Sequence, residues 1–176
     1  MGEIKSTLEL IMEKTRHMTL TEEEKQEHAK AELLVTLKAL IQKFENGVLD
    51  LREFGSEYNR ALKTSGVNEP GLLREELLRR LDLRKDNTRI LTLLREICSV
   101  STSNLLALLE EYEKAVLTAS EGRSRHKIEE LCADRGVSGS ALVPNLEADS
   151  AWRQDRERLT EQYRRKLAEE ASLLGV

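Results

Sequence analysis

The stretch Phe44-Glu45-Asn46-Gly47-Val48-Leu49-Asp50-Leu51-Arg52-Glu53-Phe54 is the first place where residue types and spacing suggest chemistry. Gly47, the apolar residue near it and Glu53 stand where the back half of a calcium-binding EF-hand loop carries them. The front half is missing. Gln42, Phe44 and Asn46 occupy the positions that need three oxygen ligands, so coordination is incomplete and no metal is expected. A helix stop at Gly47 followed by a capping box from Asp50 to Glu53 accounts for the same residues.

A second candidate is the loop that holds Gly136, Ser138, Gly139, Ser140, Pro144 and Asn145. Its glycines and serines could turn backbone amides toward an anion, but no Lys-Ser or Lys-Thr pair follows, so a nucleotide site is not expected. Cys132, Gly136 and Ser138 also fit the turn of a helix-turn-helix. Gly139 and Pro144 then fall in the helix that would have to enter a DNA groove, and proline disfavours a helix interior by about 3 kcal/mol. The segment reads as an apolar loop packed on helices. A di-metal bundle site needs Glu-x-x-His on two helices. None of the three histidines, His17, His28 and His126, has a Glu three residues before it. No Ser, Cys and His fall into a nucleophilic motif either, and no catalytic residue or cofactor is expected.

Charge narrows the partners. The chain holds 28 Lys and Arg against 32 Asp and Glu, a net charge of −4 with both signs interleaved. None of the stretches 1–46, 47–120 and 121–176 has a basic excess, so non-specific polyanion binding is not expected. Cys98 and Cys132 are isolated and flanked by apolar residues, which predicts core thiols and no disulfide or zinc site. No secretory apolar block and no run of about 18 apolar residues is present, which points to a cytoplasmic protein without a membrane span.

The elements come next. With 34% charged and 3% aromatic residues, and Pro70 and Pro144 as its two prolines, the composition is that of long helices. An all-α fold is expected: a bundle of about six or seven helices with one long irregular loop and terminal helices able to pack as coiled coils. Ile4, Leu8 and Ile11 lay a narrow stripe on a helix over 3–17. A capping box at Thr21 and Glu24 opens a second helix, with Leu33, Leu37, Leu40, Ile41 and Phe44 inward. Asp50 caps a third, ending before Gly66, and residues 68–70 start a fourth with Leu73, Leu77 and Leu81 inward. The apolar phase from Ile90 to Val116 predicts one helix with a weak middle at residues 99–104. A short helix over 124–135, the loop, and a last helix from about Ser150 follow. Residues 1–120 are read as a bundle with an N-terminal arm and 121–176 as the last helices and loop, packed on the same core.

Two stretches, residues 1–15 (Met-Gly-Glu-Ile-Lys-Ser-Thr-Leu-Glu-Leu-Ile-Met-Glu-Lys-Thr) and residues 136–145 (Gly-Val-Ser-Gly-Ser-Ala-Leu-Val-Pro-Asn), resemble an uncharacterised family of short bacterial proteins. The resemblance implies a bacterial cytoplasm and no particular activity.

The expectation that follows is a non-enzymatic helical protein, self-associating as a homodimer or binding a partner protein. Its interaction residues are Ile4, Leu8 and Ile11 on the first stripe and Trp152, Leu159 and Tyr163 on the last, with Arg153, Arg156 and Arg164 as a basic flank. The alternative is a nucleic-acid or ribosome-associated regulator that uses this flank.

Overall fold

The computed structural model describes residues 21–67, 69, 71–135 and 143–175. Among them are six α-helices, one short 3-10 turn and no strand: α1 (Glu22–Glu45), α2 (Leu51–Ser65), α3 (Gly71–Arg79), α4 (Thr88–Glu96), α5 (Ser103–Arg135), the 3-10 turn Leu146–Ala148, and α6 (Ser150–Gly175). The fold is all-α. The stripe of Ile4, Leu8 and Ile11 lies outside the described residues, as do Gly136, Ser138, Gly139 and Ser140. The chain divides within α3 into two compact units, Met1–Leu73 and Arg74–Val176.

In the first unit, both helix starts are the capping boxes read from sequence. The Glu24 amide donates to the Thr21 hydroxyl at 3.2 Å while the Thr21 amide donates to the Glu24 carboxylate at 2.7 Å. The Glu53 amide donates to Asp50 at 2.7 Å, and the Asp50 amide to Glu53 at 2.9 Å. Glu53, the residue that suggested a calcium loop, is thus spent on closing a helix end. Gly47 takes the left-handed conformation, φ 73°. The Val48 amide then returns to the Lys43 carbonyl at 2.9 Å, and the chain reverses into an α1–α2 hairpin. Leu33, Leu37, Leu40, Ile41 and Phe44 of α1 are buried, as is Phe54 of α2. Phe44 meets Phe54 edge-on at 5.6 Å between ring centroids, and Tyr58 stacks on Phe54 at 6.4 Å. Lys30 pairs with Glu69 at the surface.

In the second unit, α5 and α6 are long helices packed against each other, with the 3-10 turn against both. Leu77, Leu93, Leu94 and Leu105 are fully buried, and Ile90, Leu91, Tyr112, Trp152 and Leu167 nearly so. Each such aliphatic side chain contributes about 1.5–3 kcal/mol by leaving water.

Two helix boundaries differ from the sequence reading. The helix expected to run through residues 99–104 is two helices, α4 and α5. Ser99 adopts φ 54°, in the left-handed region, and the Val100 amide folds back to the Leu94 carbonyl at 3.0 Å, which ends α4. Apolar phase could not show this, because Ile97 and Leu105 are two turns apart whether or not the helix breaks between them. Conversely, the helix expected to restart at Ser124 does not. α5 runs unbroken for 33 residues, through the division drawn between residues 120 and 121. The Ser120 hydroxyl donates to the Leu117 carbonyl at 2.8 Å and so stays within the helix instead of capping a new one. Cys132, expected in the core, is exposed on α5.

Gly122 lies inside α5, and a Cβ built on it would meet nothing within 4 Å. Gly122→Ala is therefore expected to stabilise the protein by about 0.5–1 kcal/mol, through helix propensity alone. Urea denaturation checks this; a destabilised variant would mean that the helix is broken there.

Candidate interaction surface

The α5–α6 pair is antiparallel, and three polar contacts fix its register. Asn104 near the start of α5 donates to Glu170 near the end of α6 at 3.0 Å. Tyr112 and Thr160 meet at 3.0 Å, and Arg123 reaches Asp149, just before α6, at 2.8 Å. As the α5 number rises the α6 number falls by about as much, so one register serves all three.

The middle contact is the most buried. Thr160 is 1% exposed. Its hydroxyl has one hydrogen and donates it to the Arg156 carbonyl at 2.8 Å, so it must accept from the Tyr112 phenol. Arg84, from the segment between α3 and α4, donates to the same oxygen at 3.1 Å and to Glu157 at 2.7 Å. The Glu157 carboxylate and then the Tyr112 phenol push the Arg84 pKa up. Tyr112 packs edge-on against Tyr163 at 5.6 Å, and the Lys166 ammonium stands 4.5 Å from the Tyr163 ring centre. The segment carrying Arg84 is itself held by buried Asn87, whose amide donates to the Asp82 and Lys85 carbonyls at 2.8 and 2.9 Å and accepts from the Asp82 amide at 3.0 Å. Sequence reading missed this cluster. Its one visible signal is Thr160, a polar residue in phase with Trp152, Tyr163 and Leu167 on an otherwise apolar stripe.

At the start of α6, Asp149 accepts from the Ala151 and Trp152 amides at 2.9 and 3.3 Å and from the Arg123 guanidinium, its side chain 7% exposed. Burial pushes the Asp149 carboxyl up. The Arg123 hydrogen bond and the two helix amides outweigh it, and the net pKa lies below the ordinary 3.8.

The residues singled out from sequence fall into two groups. Trp152 is 3% exposed and Tyr163 packs on Tyr112, so both serve the inner face of α6; Leu159 is half-buried. The arginines are largely neutralised: Arg156 pairs with Glu147, Arg158 with Asp155, and Arg164 and Arg165 with Glu161. Arg153 is exposed. Pro144 and Asn145 lead into the 3-10 turn, where the Asn145 carbonyl accepts from the Ala148 amide at 3.3 Å.

What α6 leaves open is a groove. Leu78 and Leu81 form one side and Leu167, Ala168 and Ala171 of α6 the other, with Glu75, Arg79 and Arg164 at its edges and a volume of about 490 Å³. Leu173, one residue past the groove-lining Ser172, is 73% exposed. Among the described residues no group of three or more His, Cys, Asp or Glu could hold a metal. Burial pushes the Cys98 thiol up to about 11 against the opposing pull of Arg74, which keeps it protonated and a poor nucleophile at neutral pH. No helix among the described residues is long and apolar enough to cross a membrane. Comparison with known protein families, with curated proteins and with solved structures finds no match.

Thr160→Val keeps the shape but leaves the buried Tyr112 hydroxyl without an acceptor, and should cost about 1–3 kcal/mol in urea denaturation, whereas Thr160→Ser should cost far less. An equal loss in both would assign the effect to packing. A lowered folded-state pKa at Asp149 means that the unfolded chain binds the proton more tightly. The stability it confers is present above the ordinary 3.8 and lost as pH falls through the folded value. Arg123→Gln should therefore melt lower than the wild type at neutral pH, and the gap should close under acid conditions. A gap that stays constant with pH would contradict the assignment.

Proposed function

We propose that this chain is a non-enzymatic helical interaction protein that self-associates as a homodimer through the groove beside α6. The observation that carries the reading is the groove itself, with Leu78, Leu81, Leu167, Ala168 and Ala171 along it and Ala168 exposed. In a two-fold pairing the same patch meets itself, so Leu78, Leu81, Leu167 and Ala171 of each copy are covered by the same residues of the other. Burying such side chains at about 1.5–3 kcal/mol each is the scale needed to hold two helical surfaces together. The polar clusters support the same reading, because the Thr160 and Asp149 networks have their hydrogen bonds directed inward and hold helices in place.

Nucleic-acid or ribosome binding through the basic flank has less support. α6 holds six Lys and Arg and five Asp and Glu, and four of its arginines are within ion-pair distance of carboxylates. Two free cysteines suit a reducing compartment, and we place the protein in the cytoplasm.

Ala168 is exposed, so Ala168→Asp can be made without disturbing the core. In sedimentation equilibrium the wild type is expected to dimerise with rising concentration and Ala168→Asp to stay monomeric with unchanged helix content. A wild type that remains monomeric at the highest soluble concentration would refute self-association.

A further inference from the structure

α5 carries a second surface, away from α6. Leu106 is 42% exposed and Leu117 59% exposed. They are eleven residues apart, close to three full turns, which aligns them on one face about 16 Å apart along the helix. Leu109 and Val116, both half-buried, border them on the side toward the core. Carboxylates surround this stripe. Residues 103–121 hold Glu110, Glu111, Glu113 and Glu121 against the single base Lys114. Lys114 pairs loosely with Glu110, at 3.7 Å. Glu113 projects between the two leucines in helical phase and Glu121 lies one turn beyond Leu117, and neither has an ion-pair partner among the described residues.

An apolar stripe set in unneutralised negative charge has a definite complement. From this charge pattern we propose that the outer face of α5 binds a cationic amphipathic helix of a partner protein, with its apolar side chains over Leu106 and Leu117 and its Lys or Arg residues against Glu113 and Glu121. The proposal rests on the reading of the chain as an interaction protein and names a second, distinct partner for it. A second copy is a poor occupant, since four of the five arginines of α6 are taken up by Glu147, Asp155 and Glu161. An anionic membrane or a nucleic acid would be repelled by the glutamates. Charge sets orientation and salt dependence, while the leucines supply the desolvated contact.

The test uses the full-length protein and two synthetic peptides of about 18 residues, with leucines at helical spacing and either Lys or Glu elsewhere. In a calorimetric titration at low salt the Lys peptide is expected to bind and the Glu peptide not, with affinity falling as salt rises. The double variants Leu106→Ser/Leu117→Ser and Glu113→Lys/Glu121→Lys should each weaken binding tenfold or more, with helix content unchanged by circular dichroism. Val35→Ser, at an exposed valine on α1, should have no effect. Binding of both peptides alike, of neither, or with affinity retained in either double variant would overturn the proposal. Sedimentation of the same samples reads self-association separately, so each proposal can fail without the other.

Discussion

The second unit depends on one constraint, the antiparallel register of α5 and α6. Apolar stripes alone do not set it, because leucines on two long helices can slide by a turn at small cost and bury nearly as much. Thr160 removes that freedom. The residue is 1% exposed and its hydroxyl oxygen takes hydrogen bonds from Tyr112 on α5 and Arg84 on a third segment, so a slip would leave a buried phenol unpaired. Asn104 with Glu170 and Arg123 with Asp149 repeat the alignment toward either end.

Much of the architecture could be read from local sequence because local physics determines it. Capping boxes at Thr21 and Asp50, a left-handed Gly47 and a 3.6-residue apolar period require only neighbours in the chain, and α1, α2 and the start of α6 follow. The errors lie where two local signals compete. Ser99 ends a helix although it lacks the conformational freedom of glycine, while the helix expected to start at Ser124 is the continuation of one that runs through Ser120 and Gly122. In each case the outcome turns on whether the serine supports a turn or bonds back within its own helix. Sequence does not announce that choice.

The polar clusters were invisible for a different reason. Arg84 and Glu157 are 73 residues apart, and charged residues that pair across such a distance look the same as solvated ones. The basic flank of α6 is the opposite case: a run of arginines suggested a binding surface, and most of them pair with carboxylates three to nine residues away, a local signal present in the sequence. The residues expected to anchor a partner, Trp152 and Tyr163, face inward for a related reason. A helix that is apolar enough to bind another helix binds its neighbour in the same chain first. The remaining surface, Ala168 and Leu173 on α6 and Leu106 and Leu117 on α5, could be recognised only once the core had been assigned.

Native-state hydrogen exchange tests the register lock most directly. If Thr160 and Tyr112 join α5 and α6 into one cooperative unit, the amides around both residues should exchange through a shared opening of the same free energy. Exchange of α6 through a much lower opening, while α5 around Tyr112 stays protected, would contradict it.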